Sequence, residues 1–140
     1  MREIVVRRVG RGEGALVHRA APLFDKSPRE DATRRFLDSD DHHLLLAFVG
    51  EEPVGFVTGV ELTHPDKGVE MFLYELGVDE AARRQGVGSA LVEALATLAR
   101  ERGCRGLWVL TDEDNPAAIA TYRRAGATKD ERNLLLEWQF

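Results

Sequence analysis

The stretch Arg83-Arg84-Gln85-Gly86-Val87-Gly88-Ser89 places two cations and two glycines at the start of a helical pattern. Backbone N–H groups at a helix start lack intrahelical acceptors, and the helix dipole favours negative charge there. Gly86 and Gly88 let that backbone approach an anion with no Cβ in the way, while Arg83 and Arg84 can add charge-assisted bonds. The chemistry this suits is the binding of a pyrophosphate. Read alone, the same residues also describe a helix start with a glycine turn and two solvated arginines. Other phosphate motifs fit less well. No G-x-x-x-x-G-K-[ST] occurs, Gly86 to Leu91 lacks the third glycine of a dinucleotide fingerprint, and Gly10-Arg11-Gly12-Glu13-Gly14 has the wrong spacing and no lysine. A second candidate is Glu75, a charge inside the apolar run Phe72-Leu73-Tyr74-Glu75-Leu76-Gly77-Val78. Strand alternation equally lets it point to solvent. Asp112-Glu113-Asp114 suits either a cationic partner or a solvated, helix-capping turn. No metal is expected: His42 and His43 are neighbours in a β-run and point to opposite faces, and His18 and His64 stand alone.

These residues need elements to hold them. Ile4 to Val9 reads as a first strand, and the segment to about Phe24 carries Leu16, Val17, Ala20, Ala21 and Leu23 at roughly helical spacing. Ser27-Pro28-Arg29-Glu30 matches a capping box with proline at the first helical position, which predicts a second helix to about Leu37. His43 to Val49 and Val54 to Leu62 predict a hairpin about Gly50 to Pro53, and a loop from Thr63 to Gly68 leads to a strand from Val69 to Val78. Val87, Leu91, Leu95 and Leu98 then give one apolar stripe on a long helix that Gly103 stops. Leu107 to Leu110 is a short strand, and Asn115-Pro116 opens a helix through Tyr122 that Gly126 ends. Asn133 to Phe140 predicts a last strand. Strand, helix, strand in the middle implies a parallel pair, and the hairpins imply antiparallel ones, so the whole is a mixed α/β sheet.

The chain as a whole sets limits. Its 140 residues suit a single domain over 1–140, with 44% apolar and 31% charged residues in the balance of a soluble globular protein. No apolar stretch is long enough to span a bilayer and the start lacks a secretory pattern, so a cytoplasmic protein without membrane attachment is the expectation. A formal charge of −5 disfavours nucleic acid and suits a small cationic partner, although mild acidity also serves solubility alone. The single cysteine, Cys104, excludes an internal disulfide and reads as buried filler. Strand edges leave a homodimer open.

Two motifs in order carry a resemblance. Arg83-x-x-Gly86-x-Gly88, after a strand ending Leu76-Gly77-Val78, resembles the acetyl-CoA motif of the GNAT superfamily of N-acetyltransferases. Asn115-x-x-Ala118-x-x-x-Tyr122-x-x-x-Gly126, preceded by the strand Leu107 to Leu110, is similar to that superfamily's downstream motif. The resemblance covers Val69 to Ala127 closely. It implies the GNAT fold, an α/β architecture with a mixed, mostly antiparallel sheet and helices on both faces. Its parallel pair splays around the acetyl-CoA cleft beyond a bulge placed at Gly77. It further implies that the amides of Gln85, Gly86, Val87, Gly88 and Ser89 hold the pyrophosphate beside Arg83 and Arg84. Strand backbone at Leu76, Gly77 and Val78 would pair with the pantetheine, and Asn115, Ala118 and Tyr122 would complete the cofactor site. Tyr122 would face the coenzyme sulfur as general acid and Glu75 would be the base, giving direct transfer with no acetylated enzyme.

A narrower resemblance concerns the acceptor. Tyr74-Glu75-Leu76-Gly77-Val78, Arg83-Arg84-Gln85-Gly86 and Asp114 to Tyr122 look like the small aminoglycoside 3-N-acetyltransferases. That likeness implies an aminosugar antibiotic as acceptor, bound by Tyr74, Glu75, Asp112, Glu113 and Asp114, with Glu137 from the last strand. Glu75 stands where that group has aspartate, and Asn115 where it tends to have another acid. Leu23 to Ser27, the helix after it and Thr63 to Gly68 are the expected acceptor walls. The rival classes are an acetyltransferase for another small amine, polyamine or peptide N-terminus, a non-catalytic acetyl-CoA-binding module, and an interaction domain.

Overall fold

Apolar residues at alternate positions can form hairpins with two useful faces, and the N-terminal half does so. In the computed structural model, which describes residues 2–140, five strands lie side by side in chain order. They are β1 (Ile4–Arg8), β2 (His42–Val49), β3 (Glu52–His64), β4 (Gly68–Val78) and β5 (Leu107–Val109). β1 to β4 pair antiparallel, and β4 and β5 pair parallel through Met71 to Leu73 and Leu107 to Val109. Gly50, at φ 62°, makes the tight β2–β3 turn that a side chain would strain.

Alternation along β2 sorts the core into two layers. Leu44 and Leu46 face α1 (Gly14–Arg19) and α2 (Glu30–Asp38), with Val9, Val17, Ala20 and Phe56. Leu45 and Ala47 face the other way, joining Val57, Met71 and Leu73 against Val87, Leu91 and Leu95 of α3 (Val87–Glu101). The four-residue steps of that stripe keep all three on one helix face. α4 (Pro116–Arg124) packs beside α3, so helices cover both faces of the sheet. Cys104 is partly buried against the main core, and burial raises its thiol pKa, with Glu61's charge adding to the effect; it is filler, not a poised nucleophile.

Four expectations need correction. The helix after Pro28 is capped at Arg29 with no side-chain cap, so the Ser27 box is not formed. Its first turn is served instead by Glu30 and by Asp31, which binds the Arg29 guanidinium and accepts from the Ala32 amide at 2.8 Å. The bulge lies not at Gly77 but at Tyr74: Thr58 pairs with Glu75 while Gly59 pairs with Leu73, leaving Tyr74 as the extra residue. Thr63 and Gly68 belong to β3 and β4, which pair as far as His64 and Gly68. Finally, 133–140 forms no strand, and Leu134, Leu135, Leu136, Trp138 and Phe140 are exposed. A β-pattern reports competence to pair, and this segment has no partner within its own chain.

Candidate active site

The C-terminal end of β4, the loop after it and the start of α3 enclose a cavity of about 1000 Å³. Asp79 accepts from the Ala81 amide at 3.2 Å and sets a single 3-10 turn over Glu80–Ala82. The chain then reverses sharply, because Arg84 (φ 63°) and Gly86 (φ 84°, ψ 8°) are both left-handed. Gly86 can hold that conformation without strain; Arg84 holds it at a cost. No side chain caps α3, whose first helical bond at this end runs from the Ala90 amide to the Gly86 carbonyl. The amides of Val87, Gly88 and Ser89 are therefore free to meet an anion in the cavity, which Arg83, Arg84, Gly86, Val87, Gly88 and Ser89 all line. Gly88 packs closely on α4, where a Cβ would lie 3.2 Å from the Thr121 methyl and that side chain would have to give by a few tenths of an ångström.

On the other wall, β4 continues for five residues beyond its last pairing with β5. Leu76, Gly77 and Val78 line the cavity along that edge. The bulge shifts the alternation by one residue. Met71 and Leu73 face α3, and after the bulge Leu76 and Val78 do. Gly77 thereby faces the opposite layer, where a Cβ would come within 2.5 Å of the Phe56 ring. Tyr74 is exposed, with its ring 5.7 Å from that of Phe72. Glu75, whose amide donates to Thr58 Oγ1 at 3.1 Å, has its carboxyl pKa raised, first by partial burial and then by the charge of Asp25. Asp25 itself lines the cavity with Leu23 and Phe24. Tyr122 is half-buried beside the main core, and burial raises its hydroxyl pKa.

A family description of acetyltransferases (GNAT) matches residues 15–127. The chain belongs to the GNAT family of acetyltransferases. Among proteins similar to it, an acetyltransferase of Agrobacterium fabrum is 36% identical over 95 residues, 68% of this chain and 66% of that protein. The chain spans still less of several other curated relatives it matches, down to 30%. An aminoglycoside acetyltransferase from an uncultured soil metagenomic sample, solved with trehalose, superposes with a TM-score of 0.90 at 20% identity, covering 98% of this chain and 96% of that one. A second aminoglycoside acetyltransferase from such a sample gives 0.82 at 27% identity, covering 98% and 99%.

GNAT acetyltransferases use acetyl-CoA, and this chain's residues fit that molecule's pyrophosphate. The uncapped α3 terminus, the left-handed glycine and the arginines supply donors and charge on one side of a cavity large enough for a cofactor arm. Of the expected cofactor residues, Leu76, Gly77, Val78, Arg83, Arg84, Gly86, Val87, Gly88, Ser89 and Ala118 line this GNAT cavity. Gln85 and Tyr122 do not, and neither do Tyr74 and Glu75, which precede Leu76 on β4; the Gln85 side chain turns back to the Ala81 carbonyl at 3.3 Å, and Tyr122 packs against the main core next to Thr121, which does line the cavity. Asn115 caps α4, its side-chain oxygen accepting from the Ala118 amide at 3.2 Å. The acidic residues are not gathered there. Asp112, Glu113 and Asp114 occupy an exposed turn in which Glu113 pairs with Arg132 at 3.1 Å, and Glu137 lies on the unpaired C-terminal segment. Nor does the 64–68 hairpin wall the cavity, because it sits at the opposite end of β4, about 30 Å away at the rise of a strand. Of the expected acceptor wall Leu23 to Ser27, the residues Leu23, Phe24 and Asp25 line the cavity, whereas the cavity charges Arg19, Glu52, Asp79, Glu80 and Arg124 escaped the sequence reading. Arg124 was within reach: it stands three and four residues after Thr121 and Ala120, which share the helix face turned to the cavity.

Proposed function

We propose that this chain moves an acetyl group from acetyl-CoA directly to a primary amine of an aminoglycoside, at the 3-amino position. The observation that carries the reading is one cavity with an uncapped helix terminus and arginines on one wall and a strand edge without a partner strand, ending at a bulge beside Glu75, on the other. Bound acetyl-CoA supplies an activated acetyl thioester. The amides of Gly86 to Ser89, with Arg83 and Arg84, hold the pyrophosphate, and β4 backbone from Leu76 to Val78 aligns the arm and polarises the reacting carbonyl. Glu75 removes the acceptor's ammonium proton, directly or through water; its raised pKa brings it closer to the operating pH than an ordinary carboxylate. Tyr122 keeps its hydroxyl proton at neutral pH, because burial raises its pKa, and gives that proton to the leaving sulfur.

For the acceptor, support comes from the 27% identical aminoglycoside enzyme, which matches nearly the whole of both chains. The acids Asp25 and Glu75 add to it, since a polycation is favoured where the charge of Asp25 raises the cost of ionising Glu75. Tyr74, exposed at the bulge, offers such an acceptor a flat wall. The test is thiol release from acetyl-CoA over gentamicin-type aminoglycosides, spermidine and peptide amines, with mapping of the acetylated nitrogen. Turnover with an aminoglycoside and acetylation at 3-N is the expected result. Acetylation at another nitrogen removes the regiochemistry, activity only with another amine removes the antibiotic, and cofactor binding without turnover leaves a binding module.

A further inference from the structure

On the face of the sheet away from α3, β4 and β5 carry a strip of aromatic rings outside the cavity. Phe72 lies between Met71 and Leu73, and Trp108 between Leu107 and Val109; those four neighbours pack towards α3, so alternation turns both rings to the opposite face. The two rings stack there with centroids 4.3 Å apart, and the Tyr74 ring stands 5.7 Å from Phe72. Glu75 is on this face too, because Leu76 after it faces α3, and Asp25, whose charge reaches Glu75, comes from the chain between α1 and α2. The helical layer on this side packs on β2 and on Phe56 but on no residue of β4 or β5, which leaves the strip open. Tyr74 is 65% exposed, Trp108 39% and Leu110, just beyond Val109, 57%. Contiguous apolar surface left bare in this way marks a place where something binds.

Resting on the aminoglycoside reading above, we propose that Tyr74, Phe72 and Trp108 form a shelf that seats a second ring of the acceptor, so that the enzyme selects amino sugars of more than one ring. The two ends of the strip differ in chemistry, and the difference sets how the ligand lies. At one end Glu75 and Asp25 offer negative charge to an ammonium group. From there Phe72 is three residues back along β4, about 10 Å at the rise of a strand, and Trp108 is one strand spacing of about 5 Å across. Phe72, Trp108 and Leu110 carry no charge, so the far end offers apolar faces alone. An ammonium over tryptophan or tyrosine is attracted by the ring quadrupole, and the C–H face of a saturated ring buries apolar area there. An acceptor with its reacting amine at Glu75 therefore lays its neighbouring ring, apolar on its face and cationic on its rim, along Tyr74 towards Trp108. A linear polyamine has the charge but no ring to cover the shelf. Trp108 is thus a residue of specificity, touching the acceptor well away from the reacting atoms.

The test compares a gentamicin-type aminoglycoside with glucosamine, a one-ring amine. Trp108→Ala is expected to raise the KM for the aminoglycoside about tenfold, with the loss falling on KM rather than kcat and the KM for glucosamine changed by less than about twofold. Trp108→Leu, which keeps apolar bulk should the alanine variant misfold, gives the same loss because it removes the ring, and Trp108→Phe restores most of the affinity. Binding is read directly in a Trp138→Phe background, where Trp108 is the one left of the two tryptophans. There the aminoglycoside shifts its fluorescence saturably and glucosamine does not. Equal rises in KM for both amines, or no rise for either, would overturn the shelf and leave the aminoglycoside reading standing. So would a Trp108 emission already blue-shifted and shielded from acrylamide in the free protein, which means that the segment 133–140 or another copy covers the strip. A fluorescence response without turnover keeps the shelf and removes the acetylation, and the absence of both removes the shelf together with the aminoglycoside reading.

Discussion

The two proton carriers proposed above make different demands on pH. As the proposed base Glu75 works ionised, and its pKa lies above the ordinary 4.5, so kcat/KM is expected to fall as pH drops through that raised value. Glu75→Gln is expected to lower kcat/KM by about 10²- to 10⁴-fold and to remove this acid limb. Asp25→Asn separates the causes of the shift. It removes the like charge but not the burial, which is the larger influence, so the limb moves part of the way back towards 4.5. A limb unmoved in Asp25→Asn and kept in Glu75→Gln would mean that another group is titrating. Tyr122, as the proposed acid, behaves oppositely: it works protonated, and a hydroxyl raised above 10 predicts no alkaline loss of its proton below that pH. Tyr122→Phe should lower kcat at every pH below 10 with little change in the KM for acetyl-CoA; unaltered turnover would remove its role as acid.

The elements show why each glycine of the motif is where it is. Gly86 is required by a left-handed turn in open space and Gly77 by the Phe56 ring, which leaves no room for a Cβ, while at Gly88 a Cβ would press on the Thr121 methyl at 3.2 Å. Gly86→Glu therefore strains the turn and sets a carboxylate among the amides proposed to receive the pyrophosphate; coenzyme A binding, measured by calorimetry, should be lost while the thermal midpoint moves little. Gly77→Ala acts through packing. Its methyl drives the Phe56 ring against Phe24, 4.5 Å away, and costs about 1–3 kcal/mol in urea unfolding, with the cavity wall formed by Leu23 and Phe24 displaced. Stability equal to the parent would mean that Phe56 has space to move. These elements were legible because their signals are local: the α3 stripe, the Asn115 cap and the left-handed glycines are each written within a few residues. The bulge at Tyr74 was not, because it depends on which residue of β3 faces which residue of β4. The acid cluster misled for a related reason, since sequence proximity to the tyrosine helix does not turn a side chain towards the cavity.

At the scale of the whole molecule, sheet order and helix placement followed from the pattern, while what joins the far ends of the sheet did not. A charged network far apart in the sequence shows this. His43 is buried on β2, hydrogen-bonded to Arg8 of β1 at 2.8 Å and to Glu61 of β3 at 2.5 Å, and Glu61 also receives Arg102, just past α3, at 2.7 Å. Read from sequence, His43 was one of two adjacent histidines; in the fold it ties three strands and a helix end together. Burial is the main cause that lowers the His43 pKa below 6.5, with the Arg8 charge adding to it against the pull of Glu61. For Glu61 burial pushes up, but the bonds from Arg102 and His43 outweigh it and the carboxyl is lowered below 4.5. Both signs favour the folded state at higher pH. The unfolded chain binds a proton at His43 near 6.5 that the fold resists, so stability should be level above that pH and decline below it, by at most about 1.4 kcal/mol per pH unit for one proton. Glu61 adds a second decline below 4.5, as acid removes the charge that Arg102 and His43 hold. Urea midpoints from pH 8 to 4 measure this, and His43→Gln should flatten the first decline while leaving the second. A parent midpoint that stays constant between pH 6.5 and 5 would show that His43 takes its proton as readily inside the sheet as outside it.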